Sequence, residues 1–216
     1  MKKDLDLVRI VSYLFFDGHL YNTLKCFYFS SNNLNVLKQL DKIVQRKFKI
    51  KGKFYLDDGG AGKVKTHKYR VFNAELCREL EKSGVPKGCK TTKKFSIPNW
   101  IKNNKKFLKE FVKVAYFCEG SMKESDRKNP RIIFHISKAD FLLDNGIDFI
   151  NEMIKIIHSF NIKTTSIGIY NRKKRKDGVN VKELRFRIIT QDNNKFIKHF
   201  APFFNGEYKN FQGIMG

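Results

Sequence analysis

Acid is what this chain is short of. Its 216 residues carry 21 Asp and Glu against 44 Lys and Arg, a formal net charge of +23. An excess of that size points to a polyanionic partner, nucleic acid ahead of an anionic membrane surface. Long apolar runs are missing too. None approaches the ~20 residues of a membrane-spanning helix. At the N-terminus Asp4, Asp6 and Arg9 interrupt the apolar pattern and no small-residue cleavage site follows, so no signal peptide is expected. The expectation is an intracellular protein of cytoplasm or nucleoid, with no membrane partner. The four cysteines (Cys26, Cys77, Cys89, Cys118) form no CxxC pair, and the five histidines show no HExxH spacing. Zinc is therefore not expected, and the thiols read as reduced and mostly buried. The nearest approach to a phosphate loop, GGAGKVKT, has Asp57 and Val64 where that pattern needs Gly and Ser or Thr.

What the chain does have is a hydrophobic content of 41% and two stretches of one kind. Leu7 to Leu20 reads LVRIVSYLFFDGHL and Phe111 to Met122 reads FVKVAYFCEGSM. Each is an apolar helical run with little polar face, so each should be buried. Each closes on an acid and a glycine, Asp17-Gly18 and Glu119-Gly120, 102 positions apart. The glycines suit a left-handed helix stop. A carboxylate at the C-terminal end of a helix is disfavoured by roughly 0.3–1 kcal/mol. Two of them at matching positions suggest a compensating cation, and paired carboxylates are a hard oxygen site that Mg²⁺ accepts.

The rest follows in a repeated order. His19 to Ser31 reads as a hairpin turning near Asn22, and Leu34 to about Lys47 as a helix behind Asn32-Asn33. Strands are expected over Phe48 to Leu56 and Lys65 to Phe72, flanking a DDGGAG tip, then a helix from Asn73 to Lys82 stopped by Gly84. The second long helix opens at Lys102 to Lys106. After it come a hairpin through SDRKNP, a helix over Asp140 to Phe160 with a kink at Gly146, strands over Lys163 to Tyr170 and Val181 to Thr190, and a helix from Asp192 that Pro202 ends. Both halves run helix, strand, strand, helix, strand, strand, helix: an internal repeat at domain scale. Basic residues follow the strands: Lys51, Lys53, Lys65, Lys68 and Arg70, then Lys123, Arg131, Lys163, Lys182, Arg185 and Arg187. Alternate residues of a strand share a face, so Arg185 and Arg187 point one way and Leu184 and Phe186 the other. The RKKRKDG tip adds Arg172, Lys173, Lys174, Arg175 and Lys176. Such sheets can lay a basic face on DNA, because a β-ribbon fits the major groove.

Ile10 to Gly18, IVSYLFFDG, and Val112 to Gly120, VKVAYFCEG, with ELCRELEKSGVPKGCK and IPNWI between them, resemble single-chain, two-motif LAGLIDADG homing endonucleases of the archaeal type. The resemblance implies an α+β fold of two pseudo-symmetric αββαββα repeats, here 1–104 and 105–216, whose antiparallel four-stranded sheets form a DNA-binding saddle. It implies a divalent metal, Mg²⁺ or Mn²⁺, at Asp17-Gly18 and Glu119-Gly120, each acid serving one strand of a long double-stranded site. It also implies a basic residue near each scissile phosphate: Lys90 in the first half and Lys209 in the second. A single chain with both acids would work as a monomer. Phe15, Phe16 and Val114 depart from the small residues that the family places where its helices cross. No splicing residues mark either end, so a freestanding or intron-encoded protein is expected, with intron RNA as a further partner. The alternative is the same fold without cutting, as an RNA splicing maturase or DNA-binding regulator.

Overall fold

The computed structural model describes residues 1–57, 65–123, 131–172 and 174–200, without the side chains of Asp57 and Lys123. The DDGGAG tip beyond Asp57, the SDRKNP turn, Lys173, Pro202 and Lys209 lie outside the described residues. Two compact units divide between Gly88 and Cys89, so residues 89–104 pack with the second.

The first unit runs α1 (Leu5–Phe16), β1 (His19–Leu20), β2 (Cys26–Ser31), α2 (Leu34–Phe48), β3 (Lys53–Asp57), β4 (Thr66–Phe72) and α3 (Ala74–Lys82). The second opens with a short helix, α4 (Asn99–Lys102). It continues α5 (Lys105–Glu119), β5 (Gly120–Lys123), β6 (Arg131–Ala139), α6 (Leu143–His158), β7 (Gly168–Asn171), β8 (Val181–Arg187) and α7 (Asn193–Phe200). Each unit has one antiparallel four-stranded sheet, in the orders β1-β2-β4-β3 and β5-β6-β8-β7. The topology is the same twice: the two-repeat α+β architecture expected above.

Why these residues make these elements is local chemistry. Asp4 caps α1 by accepting from the Leu7 N–H at 2.9 Å, and Asn33 and Asn73 cap α2 and α3 in the same way. Each such cap stabilises its helix by about 1 kcal/mol. Asn104 caps α5 by accepting from Lys106 and Phe107, so the long helix starts at Lys105 and α4 stands apart from it. Nine of the twelve α1 residues are buried, as its all-round apolarity requires. Helices α2 and α6 instead bury single stripes, Val36, Leu37, Leu40, Ile43 and Val44 in one and Phe149, Ile150, Met153, Ile156 and Ile157 in the other. In the first sheet Phe27, Phe29, Tyr69 and Val71 are buried; in the second Ile132, Phe134, Leu184 and Phe186 are.

Three strands are shorter than the alternation suggested, β8 stopping at Arg187. Phe48 still belongs to α2, which closes on Lys49 in a left-handed conformation (φ 59°), so β3 starts only at Lys53. Residues 163–167 hold a single bridge, Thr164 to Ile188, before β7 begins. Helix α6 passes through Gly146.

Candidate nucleic-acid interface

Both helix-acid-glycine junctions turn straight into a sheet. Asp17 is the C-terminal cap of α1, exposed, its N–H bonded to the Tyr13 carbonyl. Gly18 bonds the same carbonyl at 2.8 Å, and β1 follows at His19. Glu119 is the last residue of α5, half-buried, and Gly120 is the first of β5. The expected left-handed glycines are a correction. Gly120 is extended (φ −83°), and among the described residues the positive-φ glycines are Gly84, Gly88 and Gly178. The reason for glycine is close approach instead. A Cβ on Gly18 would lie 2.8 Å from Leu14 Cα and 3.0 Å from the Tyr28 carbonyl oxygen, and one on Gly120 would strike the Tyr116 carbonyl. With nothing larger tolerated, the strand leaves at once and the acid stays at the rim of the sheet.

The outward face of the first sheet is set by register. His19 pairs Tyr28, Tyr28 pairs Arg70 and Arg70 pairs Lys53; beside them Ser30 pairs Lys68 and Lys68 pairs Tyr55. Cations and rings interleave. Lys68 Nζ lies 5.4 Å from the centre of the Tyr28 ring, and the Arg70 guanidinium lies 5.9 Å from Tyr28 and 5.0 Å from Tyr55. His19 stacks on Tyr28 at 5.3 Å. Lys51 and Lys65 are exposed just before β3 and β4.

The second sheet carries more guanidinium and fewer rings. A cleft of about 410 Å³ is lined by Arg131, Arg185 and Arg187 with Thr165, Ser166 and Tyr170. Cross-strand register builds it: Ile133 pairs Arg187 and His135 pairs Arg185. Arg185 is held in place, its guanidinium 3.6 Å over the Tyr170 ring and its Nε 3.4 Å from Glu183. Glu183 is buried on this otherwise basic face, and Arg172 pairs with it as well. Arg187, at the rim, is exposed.

Other basic residues are drawn elsewhere. Lys182 alternates to the opposite side of β8, where Nζ donates to Asn171 at 2.7 Å and lies 3.7 Å from Asp140. Lys163 is exposed at the start of α7's neighbourhood, its N–H bonded to Asp192. Lys123 ends β5 opposite Arg131. In the RKKRKDG tip Lys174 and Lys176 are exposed, but Arg175 pairs with Asp177 at 3.0 Å and donates to Cys89 Sγ at 3.3 Å. Burial pushes the Cys89 thiol up, yet hydrogen bonds from Thr92 and Arg175 outweigh it and hold the thiol below its usual pKa.

Lys90 opens a 3-10 turn, Lys90–Thr92, in the segment that the second unit holds. That segment is stitched down along its length. The buried Lys138 donates to the Lys90 and Lys93 carbonyls. Asn145 bonds both the N–H and the carbonyl of Phe95, Phe95 packs edge-on to Phe149, and Glu152 accepts from Ile97 and Lys102.

Sequence reasoning left out Tyr55, two positions from Lys53 in one strand, Tyr28, which only cross-strand register sets beside Arg70, and Glu183, two positions before Arg185. Nothing in the sequence marked Lys138 as buried.

No family model matches the chain. It is 29% identical over 212 residues to the tRNA-splicing ligase RtcB of Pyrococcus abyssi, covering 94% of this chain and 22% of the ligase. It is 25% identical over 218 residues to the replication factor C small subunit of Methanocaldococcus jannaschii, covering 96% of this chain and 11% of that protein. The chain thus spans about a fifth or less of the curated relatives it matches. Among solved structures it resembles the homing endonuclease I-WcaI bound to its DNA recognition sequence (TM-score 0.60, 10% identity, 95% of this chain and 84% of that one). It also resembles the N-terminal LAGLIDADG domain of DUF199/WhiA (TM-score 0.56, 12% identity, 97% and 86%). The fold is the LAGLIDADG fold.

Proposed function

We propose that the chain is a site-specific, divalent-metal-dependent DNA endonuclease that cuts both strands of a long duplex site and acts as a monomer. The observation that carries this is the duplicated junction: an acid at the end of a buried helix, leading at once into a sheet, at the same topological place in both units. The basic outward faces of the two sheets supply the DNA contact. Likeness to a homing endonuclease that binds its recognition sequence supports the same reading. So does the setting of the relatives. A similar segment lies within a ligase and a replication factor subunit, two proteins of different named function, as a portable module would.

The donor chemistry fits a hard cation. Asp17 and Glu119 each offer oxygen donors only, the kind that a hard cation takes. Mg²⁺ is held in just that way, by one or two carboxylates, waters and substrate phosphates. Bound there, it would polarise the scissile phosphate and lower the pKa of water. The chain's own residues do the rest. Arg131, Arg185 and Arg187 dock and read the duplex, Lys68 and Arg70 hold it on the other sheet, and Lys90 presents an ammonium toward a phosphate.

A supercoiled plasmid library bearing randomised sites, with Mg²⁺, tests this by the appearance of linear product. Asp17→Asn and Glu119→Gln should each abolish double-strand cutting and leave metal-free DNA affinity unchanged. The likeness to the WhiA domain favours a second reading, nucleic-acid binding without cutting. Tight binding with no linear or nicked product at any Mg²⁺ or Mn²⁺ concentration would select it.

A further inference from the structure

Lys138 is 0% exposed, on the helix-facing side of β6 among Ile132, Phe134 and Ile136. An ammonium buried in such surroundings is costly unless it is fully partnered. Its partners all come from one short stretch. Nζ donates to the Lys90 carbonyl at 3.1 Å and to the Lys93 carbonyl, and stands 3.6 Å from the centre of the Phe95 ring. Two carbonyls and one ring face hold the ammonium on the turn that carries Lys90.

We propose that Lys138 is a positioning residue for Lys90: it grips the backbone at both ends of the Lys90–Lys93 turn and so fixes where the Lys90 side chain is presented to DNA. The proposal rests on the reading of Lys90 as the basic group near a scissile phosphate. Other contacts hold the flanks of the segment, Arg175 at Cys89 and Asn145 at Phe95; the turn closes on its own bonds from Thr92 to Cys89 and from Lys93 to Lys90, and Lys138 ties those closed carbonyls to β6. A methionine would fill the same space, leave the Lys93 carbonyl without the ammonium, and leave the Lys90 carbonyl only the long bond from the Lys93 N–H at 3.4 Å. The groups around Lys138 are Cys89, Lys90 and Lys93 on the segment, Gly146 on α6 against its Cγ, and Lys182 opposite it on β8. Burial pushes its pKa down to about 8, against the pull of Cys89. Above that value the group is a neutral amine, which keeps N–H donors for both carbonyls but loses the charge that faces the Phe95 ring.

The test is Lys138→Met in the full chain, read three ways: amide exchange over 89–95, single-turnover cleavage at saturating DNA with Mg²⁺, and metal-free affinity. Exchange over 89–95 should quicken about tenfold or more while α6 amides stay protected. Cleavage should fall by about ten- to a hundredfold, the scale of a misplaced reacting group, with affinity within about twofold. Lys90→Met with Lys138→Met should cut no more slowly than Lys90→Met alone. Unchanged exchange, an unchanged rate, or losses that multiply in the double variant would each overturn the assignment. Lys90→Met cutting at the wild-type rate would overturn it through Lys90, and the exchange result would then judge the clamp separately. If Lys138→Met does not fold, Phe95→Leu removes the ring beneath the ammonium. A smaller change in the same directions is expected, and unchanged exchange there also overturns the proposal.

Discussion

Gly18 and Gly120 are expected to respond to substitution by size rather than by backbone preference. At Gly18 an alanine Cβ would lie 2.7 Å from Leu14 Cδ2, 2.8 Å from Leu14 Cα and 3.0 Å from the Tyr28 carbonyl oxygen. The Leu14 side chain can rotate away, but its Cα and the β2 backbone cannot. Forcing a methyl into a packed site of this kind costs about 1–3 kcal/mol. For a chain of this length each kcal/mol lowers Tm by roughly 2–4 °C, so Gly18→Ala should melt about 2–12 °C early. Asparagine is larger, so Gly18→Asn should be worse. Gly178 is the control. Its φ is +81° and its one near neighbour is Lys174 Cε at 3.9 Å. There the cost is conformational, about 1–2 kcal/mol for alanine, and asparagine, which visits the left-handed region readily, should be the milder change. Thermal and urea melts of the four variants check the order. If asparagine is tolerated better than alanine at Gly18, or if neither shifts the melt, close approach is not what selects glycine at the helix end.

Glu183→Gln removes a buried carboxylate from the arginine face. It should tighten non-specific DNA binding and steepen the log–log salt slope by up to about 0.9 for each phosphate gained, measured by titration at several salt concentrations. Arg185→Ala, which removes an arginine held by Tyr170 and Glu183, should relax specificity at one or two base pairs, about 1–3 kcal/mol per contact, in a cleavage profile over a randomised library. Neutralising Lys174 and Lys176 should instead weaken all sequences alike and flatten the slope by up to about 2. Lys138 should also appear in stability against pH. Its folded pKa of about 8 lies below the unfolded value of 10.5, so above pH 8 the unfolded chain holds a proton that the folded chain has lost. Wild-type stability should therefore rise relative to Lys138→Met by about 1.4 kcal/mol per pH unit between pH 8 and 10. The Cys77 thiol, pushed up to about 11 by burial, acts in the opposite sense above pH 9 and cancels because both proteins carry it. A difference that falls with pH would contradict the burial of that lysine.

Much of the fold was legible because its signals are local. Asn33 and Asn73 stand directly before apolar stripes, and Arg185 and Arg187 alternate with Leu184 and Phe186 within one strand. Harder to see were features set by partners distant in sequence. Glycine at position 18 is required by a carbonyl ten residues on, in β2. Lys138 reads as an ordinary strand lysine in ISKAD, and its burial depends on carbonyls 45 and 48 residues earlier. The RKKRKDG tip reads as five free charges, yet Arg175 is taken by Asp177 and by Cys89, 86 positions away. At the candidate site the acids and the basic strands were visible. The rings between the cations were not singled out, because tyrosine in a strand is ordinary and only register puts Tyr28 beside Arg70.

The stitched segment 89–102 also dictates how such a gene can be recombined. A crossover at 104/105 would give the second repeat a foreign leader. The Lys138 ammonium, the Asn145 amide and the Glu152 carboxylate would then each meet backbone they were not fitted to. A crossover at 88/89 moves clasp and clasped together. Hybrids made by exchanging halves should therefore breed true when the turn bearing Lys90 is inherited with the C-terminal half. In its packing, then, Lys90 belongs with the later repeat, although it is encoded just after the last helix of the earlier one.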